Sequence, residues 1–319
     1  MVFRKVQRSL EGSIGALLIR KIEEAEVRKS GLKHKTVSVK GRDQHYLEAN
    51  PDGEKTLVIF YGMTQRMEFM AEFVKQLKLP STYRILIPEV LGHGRDIPRV
   101  LQQQYPSCIE LLDGLDDWMD HLQIKHAVAF GYSLGGMAAY HLSVRNPNRF
   151  DQTVLLAPAI ESVLDPTFIR EFENGEKAHH SFETREELKA FFRDMAPPNR
   201  IKRDPVPKFF LQGVVKLRHN SIKGSNKDYY RNLAENLNRD TGTVEELSVS
   251  KDELPDDAQR LIIWPVHDRV CNYAKGKEFF ADSKCKFVSV DNAGHIFRGD
   301  GKPLHLYCIE EIRTFLKEP

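Results

Sequence analysis

The pattern of hydrophobic and polar positions changes its period along the chain and thereby predicts the elements. Near the N-terminus, hydrophobic residues recur at spacings of three and four, which predicts an amphipathic helix over 3–28. The period then changes to two, and the runs 34–40 and 43–48 flank Gly41-Arg42 as the strands of a hairpin. The apolar stripe of the helix consists of Phe3, Val6, Leu10, Ile14, Leu17, Leu18 and Ile22.

From residue 56 onward, apolar runs typical of buried strands alternate with helical patterns. Strands that alternate with helices of this length predict a parallel sheet covered by helices on both faces. The alternation stops over 161–255, where helix-like stretches dominate, and then resumes. The expected strands are 56–60, 84–88, 126–130, 152–156, 260–264 and 285–290, and the expected helices are 66–78, 107–121, one that ends near 145, and 303–317.

This organisation predicts a single α/β core divided by an insertion. We expect an N-terminal amphipathic helix over 1–30, a core formed by 31–160 and 256–319, and a helical cap over 161–255. The cap therefore lies between two strands of one sheet. Its helix-like stretches are near 166–174, 183–195, 206–217 and 226–238.

Composition narrows the class of protein. The chain has 319 residues, with 47 Lys and Arg against 45 Asp and Glu and a net charge of +2, which argues against a protein that coats nucleic acid. The four cysteines form no CxxC pair, which disfavours zinc-finger and redox motifs and predicts free thiols in a reducing compartment. No apolar run approaches the ~20 residues that span a bilayer, and no signal-peptide pattern occurs. A cytoplasmic protein is expected.

The most specific motif is Gly131-Tyr132-Ser133-Leu134-Gly135, which matches G-x-S-x-G between an expected strand and an expected helix. This is the context of a nucleophile elbow, in which a sharp turn presents the serine Oγ outward. The glycines leave room where the backbones of the strand and the helix come close together. The N-terminal N–H groups of the helix point toward the negative charge that develops during the reaction. We therefore expect Ser133 to be a nucleophile.

A serine nucleophile needs a base, and the base needs an orienting carboxylate. Asp268 and His295 follow the last two expected strands, in the chain order serine, acid, histidine that this elbow fold uses. The carboxyl ends of parallel strands meet at one edge of the sheet, so both residues are expected beside Ser133. His267 is a rival base, although it adjoins Asp268, and Asp291 is a weaker rival acid.

Acyl transfer also needs two backbone N–H donors for the oxyanion. One is expected at Leu134, directly after the nucleophile. The other is expected at Met63, in the loop after strand 56–60, where Gly62 allows a close approach of the backbone. Such a site implies no metal and no organic cofactor.

On these motifs the chain resembles the α/β-hydrolase-fold serine hydrolases over about residues 50–160 and 255–319. The resemblance implies a mostly parallel eight-stranded sheet with a helical cap, and it is greatest to monoacylglycerol-lipase-like and esterase-like members. It rests on Tyr61-Gly62-Met63, Gly92-His93-Gly94, Gly131-Tyr132-Ser133-Leu134-Gly135-Gly136, Asp268 and Gly294-His295.

Three positions depart from the family pattern. Tyr61 stands where the family commonly has His, Glu89 where it has Asp, and Asp96 where it has Ser. The change at Tyr61 leaves the backbone donor in place and alters the entrance of the pocket. Tyr61 and Tyr132 are expected substrate contacts.

Two segments are ambiguous between packing and binding. Residues 200–231 carry nine basic and two acidic residues, which suits either a solvated cap face or attraction to an anionic interface or substrate. Phe209 and Phe210 in this segment are expected to line an acyl pocket or to form the core of the cap. The N-terminal helix either docks on the protein's own body or lies on a membrane surface.

The expected function is hydrolysis of a carboxylic ester through an acyl-enzyme on Ser133. The expected partner is a small-molecule ester, with acylglycerols or other lipophilic esters favoured by the resemblance. Thioesterase, acyltransferase, amidase and C–C hydrolase activities use the same fold and stay open, as does a ligand-binding protein derived from a hydrolase. The oligomeric state stays open too.

Overall fold

One eight-stranded sheet lies at the centre of the structure. The computed structural model describes residues 2–63, 65–90, 107–160, 163–165, 167, 184–200, 207–222, 237–238, 243–244 and 259–317. The strands are β1 (Lys33–Val39), β2 (Arg42–Ala49), β3 (Lys55–Phe60), β4 (Tyr83–Pro88), β5 (Ala127–Tyr132), β6 (Phe150–Leu156), the separate pair β7 (Leu237–Asn238) and β8 (Thr243–Val244), then β9 (Gln259–Pro265) and β10 (Lys286–Val290).

The order of strands in the sheet is β1-β2-β4-β3-β5-β6-β9-β10. The pairings of β1 with β2 and of β2 with β4 are antiparallel. Every later pairing, from β4–β3 to β9–β10, is parallel, so the carboxyl ends of β3, β5, β9 and β10 lie at the same edge. The prediction of an α/β fold with a mostly parallel eight-stranded sheet is confirmed.

The helices lie at the predicted positions, but two of the expected helices are each split into two segments. The helix expected over 66–78 begins as a 3-10 turn at Met67–Met70, and the one expected over 303–317 is divided at Cys308. The α-helices are α1 (Val2–Lys29), α2 (Ala71–Leu77), α3 (Cys108–His121), α4 (Leu134–Arg145), α5 (Arg185–Asp194), α6 (Lys208–Ile222), α7 (Tyr273–Phe279), α8 (Leu304–Tyr307) and α9 (Ile309–Lys317).

Helix α7 was not predicted. It has seven residues and carries Gly276 in its middle, so its helical signal is weak. The glycine is there for packing, because a Cβ atom at Gly276 would lie 2.5 Å from the ring of Trp264 on β9. The ring of Trp264 is fully buried, and its indole N–H donates to the carbonyl of Cys271 at 2.9 Å.

The central strands form a rigid base for the edge where they end. Every residue of β5 is buried, and four of the six residues of β3 are buried, as expected for strands covered on both faces. Large side chains fill the space between the sheet and its helices, and the most deeply buried include Trp118, Tyr140, Phe73, Phe130 and Phe60. Close packing of this kind limits movement of the loops that start at β3 and β5.

The segment expected to be a helical cap is only partly helical in the described residues. Helices α5 and α6 match the stretches near 183–195 and 206–217. The stretch near 166–174 lies outside the described residues apart from 167, and 226–238 does so apart from Leu237–Asn238. Those two residues form β7, which pairs antiparallel with β8, so the helix predicted there is wrong at its end.

Helix α1 is held against α6 by small residues. Gly15 lies so close to α6 that a Cβ atom there would be 2.1 Å from the carbonyl oxygen of Phe209. A Cβ atom on Gly213 of α6 would in turn lie 2.3 Å from the backbone of Gly15. One turn away, Lys216 Nζ donates to Ser13 Oγ at 2.6 Å. The two helices therefore meet backbone to backbone, as helices do where both present small residues.

The C-terminal half of α1 is fixed to the core. Glu23 pairs with Arg66 at 2.8 Å, just before the 3-10 turn, and Glu26 pairs with Lys75 of α2 at 2.5 Å. Val27 is buried in the main hydrophobic core. The helix therefore docks on the protein along much of its length.

The docked face is not the predicted apolar stripe. Gly12, Gly15, Ala16 and Ile19 are buried against the protein, whereas Leu10, Ile14, Leu17, Leu18 and Ile22 are exposed. Periodicity identified the apolar stripe but not whether it faces the protein or the solvent. The side with Gly12, Gly15 and Ala16 is buried instead, because small residues allow the backbone of α6 to come close. Among the described residues, no helix is long and apolar enough to cross a bilayer.

We predict that Gly15→Val lowers the free energy of unfolding by about 1–3 kcal/mol, the usual cost of overpacking. Valine is no worse than glycine as a helix former, so a loss would come from the lost contact with α6. Urea unfolding followed by circular dichroism measures the change. The exposed neighbour supplies the control, since Ile14→Val should stay within about 0.5 kcal/mol of wild type. Equal stability of Gly15→Val and wild type would contradict the α1–α6 contact.

Candidate active site

Ser133 lies in a sharp turn between β5 and α4. Its backbone has φ 55° and ψ −117°, a strained conformation for a residue other than glycine. The turn is held by hydrogen bonds, because Ser133 N–H donates to the Leu156 carbonyl at 3.0 Å and the Ser133 carbonyl accepts from Met137 and Ala159 N–H. The strain at the serine is thus maintained by the strand and helix on either side.

The two glycines of the motif are required by close backbone contacts. A Cβ atom on Gly131 would lie 2.2 Å from the carbonyl oxygen of Gly135. A Cβ atom on Gly135 would lie 2.1 Å from the carbonyl oxygen of Phe60, at the end of β3. Any larger residue would push α4 away from the strands, so these positions fix where Ser133 points.

Three side chains form a continuous hydrogen-bonded chain at the carboxyl edge of the sheet. His295 Nε2 lies 2.9 Å from Ser133 Oγ, and His295 Nδ1 lies 2.8 Å from Asp268 Oδ2. The other carboxylate oxygen of Asp268 accepts the backbone N–H groups of Val270 at 2.8 Å and Cys271 at 2.9 Å. The side chains of Asp268 and His295 are almost completely buried. The geometry allows the histidine to accept the serine proton while the aspartate orients the ring.

The rival residues named from the sequence lie elsewhere. His267 and Asp291 are both exposed, on the loops after β9 and β10. Backbone hydrogen bonds join these loops, from Val266 N–H to the Val290 carbonyl at 3.0 Å and from His267 N–H to the Ala293 carbonyl at 2.9 Å. The structure therefore brings Asp268, and not Asp291, to the histidine that faces the serine.

The loop after β3 lies directly beside Ser133. A Cβ atom on Gly62 would be only 3.5 Å from Ser133 Cβ, so the glycine permits this approach. Gly62 N–H donates to Gln65 Oε1 at 2.9 Å, and the Gln65 N–H donates back to the Gly62 carbonyl at 3.2 Å. Met63 is thereby held in a closed turn next to the nucleophile. Gln65 was missed from the sequence, where nothing marks a side chain that bonds three residues back.

Leu134 begins α4 immediately after Ser133. The first N–H groups of a helix have no carbonyl partner within the helix, and its dipole is positive at this end. Leu134 thus directly follows the serine, and Met63 directly follows Gly62, the residue beside the serine. That their N–H groups act as the two backbone donors stays a prediction.

The two tyrosines expected to contact substrate are core residues instead. Tyr61 is fully buried, and its hydroxyl accepts the backbone N–H of Val90 at 2.9 Å. The Tyr132 hydroxyl donates to the His295 carbonyl at 2.6 Å, and its ring stacks on the His295 ring at 5.8 Å between centroids. Burial raises the pKa of Tyr132 well above its ordinary value, which keeps the hydroxyl a donor. Substrate contact is therefore not supported for either side chain, because both are buried, and only Tyr132 touches a residue of the site.

The two phenylalanines expected at an acyl pocket lie at the α1–α6 contact. Phe210 packs against the small cluster formed by Ala16, Ile19 and Leu217, and Phe209 is partly exposed. None of the contacts described for them joins them to the serine. The Gly92-His93-Gly94 motif and Asp96 lie outside the described residues. Glu89 is buried, and its backbone carbonyl accepts a hydrogen bond from the Gln44 side chain of β2 at 2.7 Å.

The segment after α5 touches the loop that carries His295. Ile296 N–H donates to the Met195 carbonyl at 3.1 Å, and a Cβ atom on Gly294 would lie 2.7 Å from the backbone of Ala196. Gly294 is therefore needed for the segment after α5 to pass over the histidine. This contact was not predictable from the sequence.

One group of potential metal ligands coincides with the site. The ligand atoms of Asp268, Cys271 and His295 lie within 4.8 Å of one another. Burial and the nearby carboxylate raise the pKa of Cys271 well above its ordinary value, so its thiol stays protonated. Because Asp268 already accepts three hydrogen bonds, these residues suit a hydrogen-bonded relay better than an ion.

Comparison with known proteins agrees with this architecture. The family model of the alpha/beta hydrolase fold matches residues 55–301. The chain belongs to the α/β-hydrolase family. Among curated proteins, the hydrolase YugF of Bacillus subtilis is 26% identical over 120 residues, which are 37% of this chain and 42% of YugF. The matched part thus spans less than half of that relative.

Solved α/β hydrolases share the fold over nearly the whole chain. The lip1 protein of Acinetobacter baumannii AYE, which is assigned as a lipase, has a TM-score of 0.73 and 20% identity, with 93% of this chain and 95% of that one covered. A bacterial membrane phospholipase A has a TM-score of 0.74 and 16% identity, with 99% of this chain and 95% of that one covered. At these identities the likeness shows the fold.

A second histidine lies beneath the site of this α/β hydrolase. His305 is buried among aromatic rings, with centroid distances of 5.1 Å to Phe69 and 6.1 Å to both Phe73 and Tyr132. Burial lowers the pKa of His305 from 6.5 to about 4. Between those values the unfolded chain binds a proton that the folded protein does not, so acidification through this range destabilises the fold.

We predict that His305→Phe makes the protein less sensitive to acid. Its free energy of unfolding should fall less steeply between pH 6.5 and 4, by up to about 1.4 kcal/mol per pH unit, because one proton fewer is taken up on unfolding. Urea unfolding at a series of pH values measures the slope. Equal slopes for His305→Phe and wild type would refute the assignment.

Proposed function

We propose that this protein is a serine hydrolase that cleaves carboxylic esters through an acyl-enzyme on Ser133. The observation that carries the proposal is the chain from Ser133 Oγ through His295 to Asp268, with successive distances of 2.9 and 2.8 Å. Such a chain activates an otherwise weakly nucleophilic hydroxyl. Membership of the α/β-hydrolase family supports it, because the fold commonly carries this chemistry at this edge of the sheet.

In the first half of the reaction, His295 Nε2 takes the proton of Ser133 as Oγ attacks the ester carbonyl. Asp268 holds the ring in the required orientation and stabilises the imidazolium that forms. The histidine then gives this proton to the alcohol oxygen as the carbon–oxygen bond breaks, and the acyl group stays on Ser133. In the second half, water attacks the acyl-enzyme with His295 as its base, and Ser133 is restored.

The negative charge on the tetrahedral intermediate needs donors fixed in advance. We assign these to the N–H groups of Met63 and Leu134, which flank Ser133. The Gln65 side chain occupies the N–H of Gly62 at 2.9 Å and so fixes the turn that carries Met63. Gln65 is thus a positioning residue for the oxyanion donors.

Lipophilic esters are the proposed substrates, and acylglycerols are the leading case. The support is the likeness of the fold to an assigned lipase and to a membrane phospholipase A. The same residues would also serve thioester hydrolysis and transfer of the acyl group to other acceptors, which a substrate panel distinguishes.

The direct test is labelling and turnover on wild type and Ser133→Ala. We expect a fluorophosphonate to label wild type on Ser133, and Ser133→Ala to lose about 10⁴-fold or more in kcat while staying folded. The exposed Ser38→Ala supplies the matched control, with labelling and turnover unchanged. Activity that survives in Ser133→Ala, or absence of labelling in folded wild type, would refute the proposal.

A substrate panel then separates the ester from its alternatives. p-Nitrophenyl esters of increasing chain length, monoacylglycerols, an acyl thioester and an amide are compared by kcat/KM. Faster turnover of long-chain esters supports the lipophilic assignment. A preference for the thioester, or products that show transfer to an alcohol, would replace it.

Gln65 provides a second test of the oxyanion assignment. Gln65→Leu should lower kcat by about tenfold with little change in KM, because a misplaced donor weakens the transition state more than the ground state. Gln65→Glu keeps an acceptor oxygen for Gly62 N–H and should retain most of the activity. Gln76→Leu on α2 is the control for a half-buried glutamine elsewhere. Equal kcat in Gln65→Leu and wild type would exclude the positioning role.

A further inference from the structure

An exposed apolar face runs along α1. We call it the outer stripe and define it as Leu10, Ile14, Leu17, Leu18 and Ile22. Their exposed fractions range from 39% for Leu18 to 61% for Leu10, which is high for residues of this kind. Scattered exposed apolar residues are ordinary on a surface, but three leucines and two isoleucines on one side of a single helix form a continuous patch.

The direction of the outer stripe is imposed by the rest of the helix. Gly15 is in backbone contact with Phe209 and Gly213 of α6, and Glu23 is paired with Arg66. The helix cannot turn its apolar side inward without breaking these contacts. The side chains of the outer stripe are therefore held outward by a docked helix.

Basic residues accompany the outer stripe. Arg20 and Lys21 are exposed on the same helix, and Lys208 is exposed at the start of α6. In the sequence, α1 and α6 together hold ten Lys and Arg and four Glu, of which Glu23 and Glu26 pair with Arg66 and Lys75. Phe209, whose carbonyl contacts Gly15, adds a ring that is 39% exposed.

We propose that the outer stripe is the surface through which this protein docks on an anionic lipid membrane. A helix with apolar side chains on one side and basic residues around them lies in the interface of such a membrane, with the apolar side among the acyl chains and the basic groups at the phosphates. A second copy is a poorer occupant, because pairing through this face would bring Arg20, Lys21 and Lys208 of the two copies close to one another.

The position of α1 connects this surface to the site. Helix α1 contacts α6, and α6 contacts α5, the helix that precedes it in the chain. The segment directly after α5 contacts the loop that carries His295. Arg66, which pairs with Glu23, lies three residues after Met63. Docking through the outer stripe would hold the cap side of the protein at the lipid surface. Delivery of lipophilic esters in this way rests on the proposed function, whereas membrane binding does not.

The test is sedimentation of the full chain with vesicles, which needs no catalysis. Phosphatidylcholine vesicles are compared with vesicles that also contain phosphatidylglycerol. We expect wild type to sediment with the anionic vesicles, to bind neutral vesicles more weakly, and to lose affinity as salt is raised. Ile14→Asp/Leu17→Asp should weaken binding to anionic vesicles by about tenfold or more, since two apolar anchors are replaced.

The control has the same change of charge at another place. Ser38→Asp/Tyr307→Asp alters two exposed residues away from α1 and should bind as wild type does. Circular dichroism and thermal unfolding establish that both double variants fold, which is expected because all four residues are exposed. Hydrolysis of a short-chain soluble ester should be the same in both, so loss of activity is distinguished from loss of docking.

Three outcomes would overturn the proposal. Wild type that stays in solution with both kinds of vesicle excludes membrane docking. Equal binding by Ile14→Asp/Leu17→Asp and wild type places the membrane contact elsewhere. A wild-type dimer that this variant dissociates, as measured by light scattering after size-exclusion chromatography, combined with absence of vesicle binding, makes the outer stripe an interface between two copies.

Discussion

The contact between the start of α4 and the ends of β3 and β5 is the constraint on which the rest of the site depends. Backbone atoms meet there at distances that exclude any Cβ atom on Gly131 or Gly135. This contact forces the chain to reverse between them, and the reversal leaves Ser133 with a positive φ of 55°. The packing of the strands, which are buried on both faces, stabilises the fold enough to keep Ser133 in this strained conformation.

The other groups of the site are placed by the same edge of the sheet. Parallel strands end together, so loops that are far apart in sequence deliver an aspartate and a histidine to one serine. The loop after β9 holds Asp268 with two backbone N–H donors, and Tyr132 holds the His295 carbonyl from below. The buried side chains of Asp268 and His295 both have hydrogen-bond partners, which stabilises the arrangement.

Helix α1 adds a second layer to this design. It is attached to α6 by glycine contacts at Gly15 and to the region after β3 by the pair of Glu23 and Arg66. These contacts hold the helix in one orientation, with its apolar stripe outward. The basic character of that region suits an anionic surface, which near-neutral overall charge conceals.

The sequence by itself predicted the parallel sheet and the order of the elements, because periodicity is a local signal. It also singled out Ser133 through the elbow motif, and Asp268 and His295 through their order along the chain, with His267 and Asp291 as rivals. It did not reveal the division of the C-terminal helix, the short α7 or the β7–β8 pair, whose signals are weak. Only the tertiary structure placed Tyr61 and Tyr132 in the core and assigned Gln65 to the turn. It alone turned the apolar stripe of α1 outward, because which face of a helix is buried depends on how closely its neighbour can approach, and Gly15 and Gly213 decide that only when they meet.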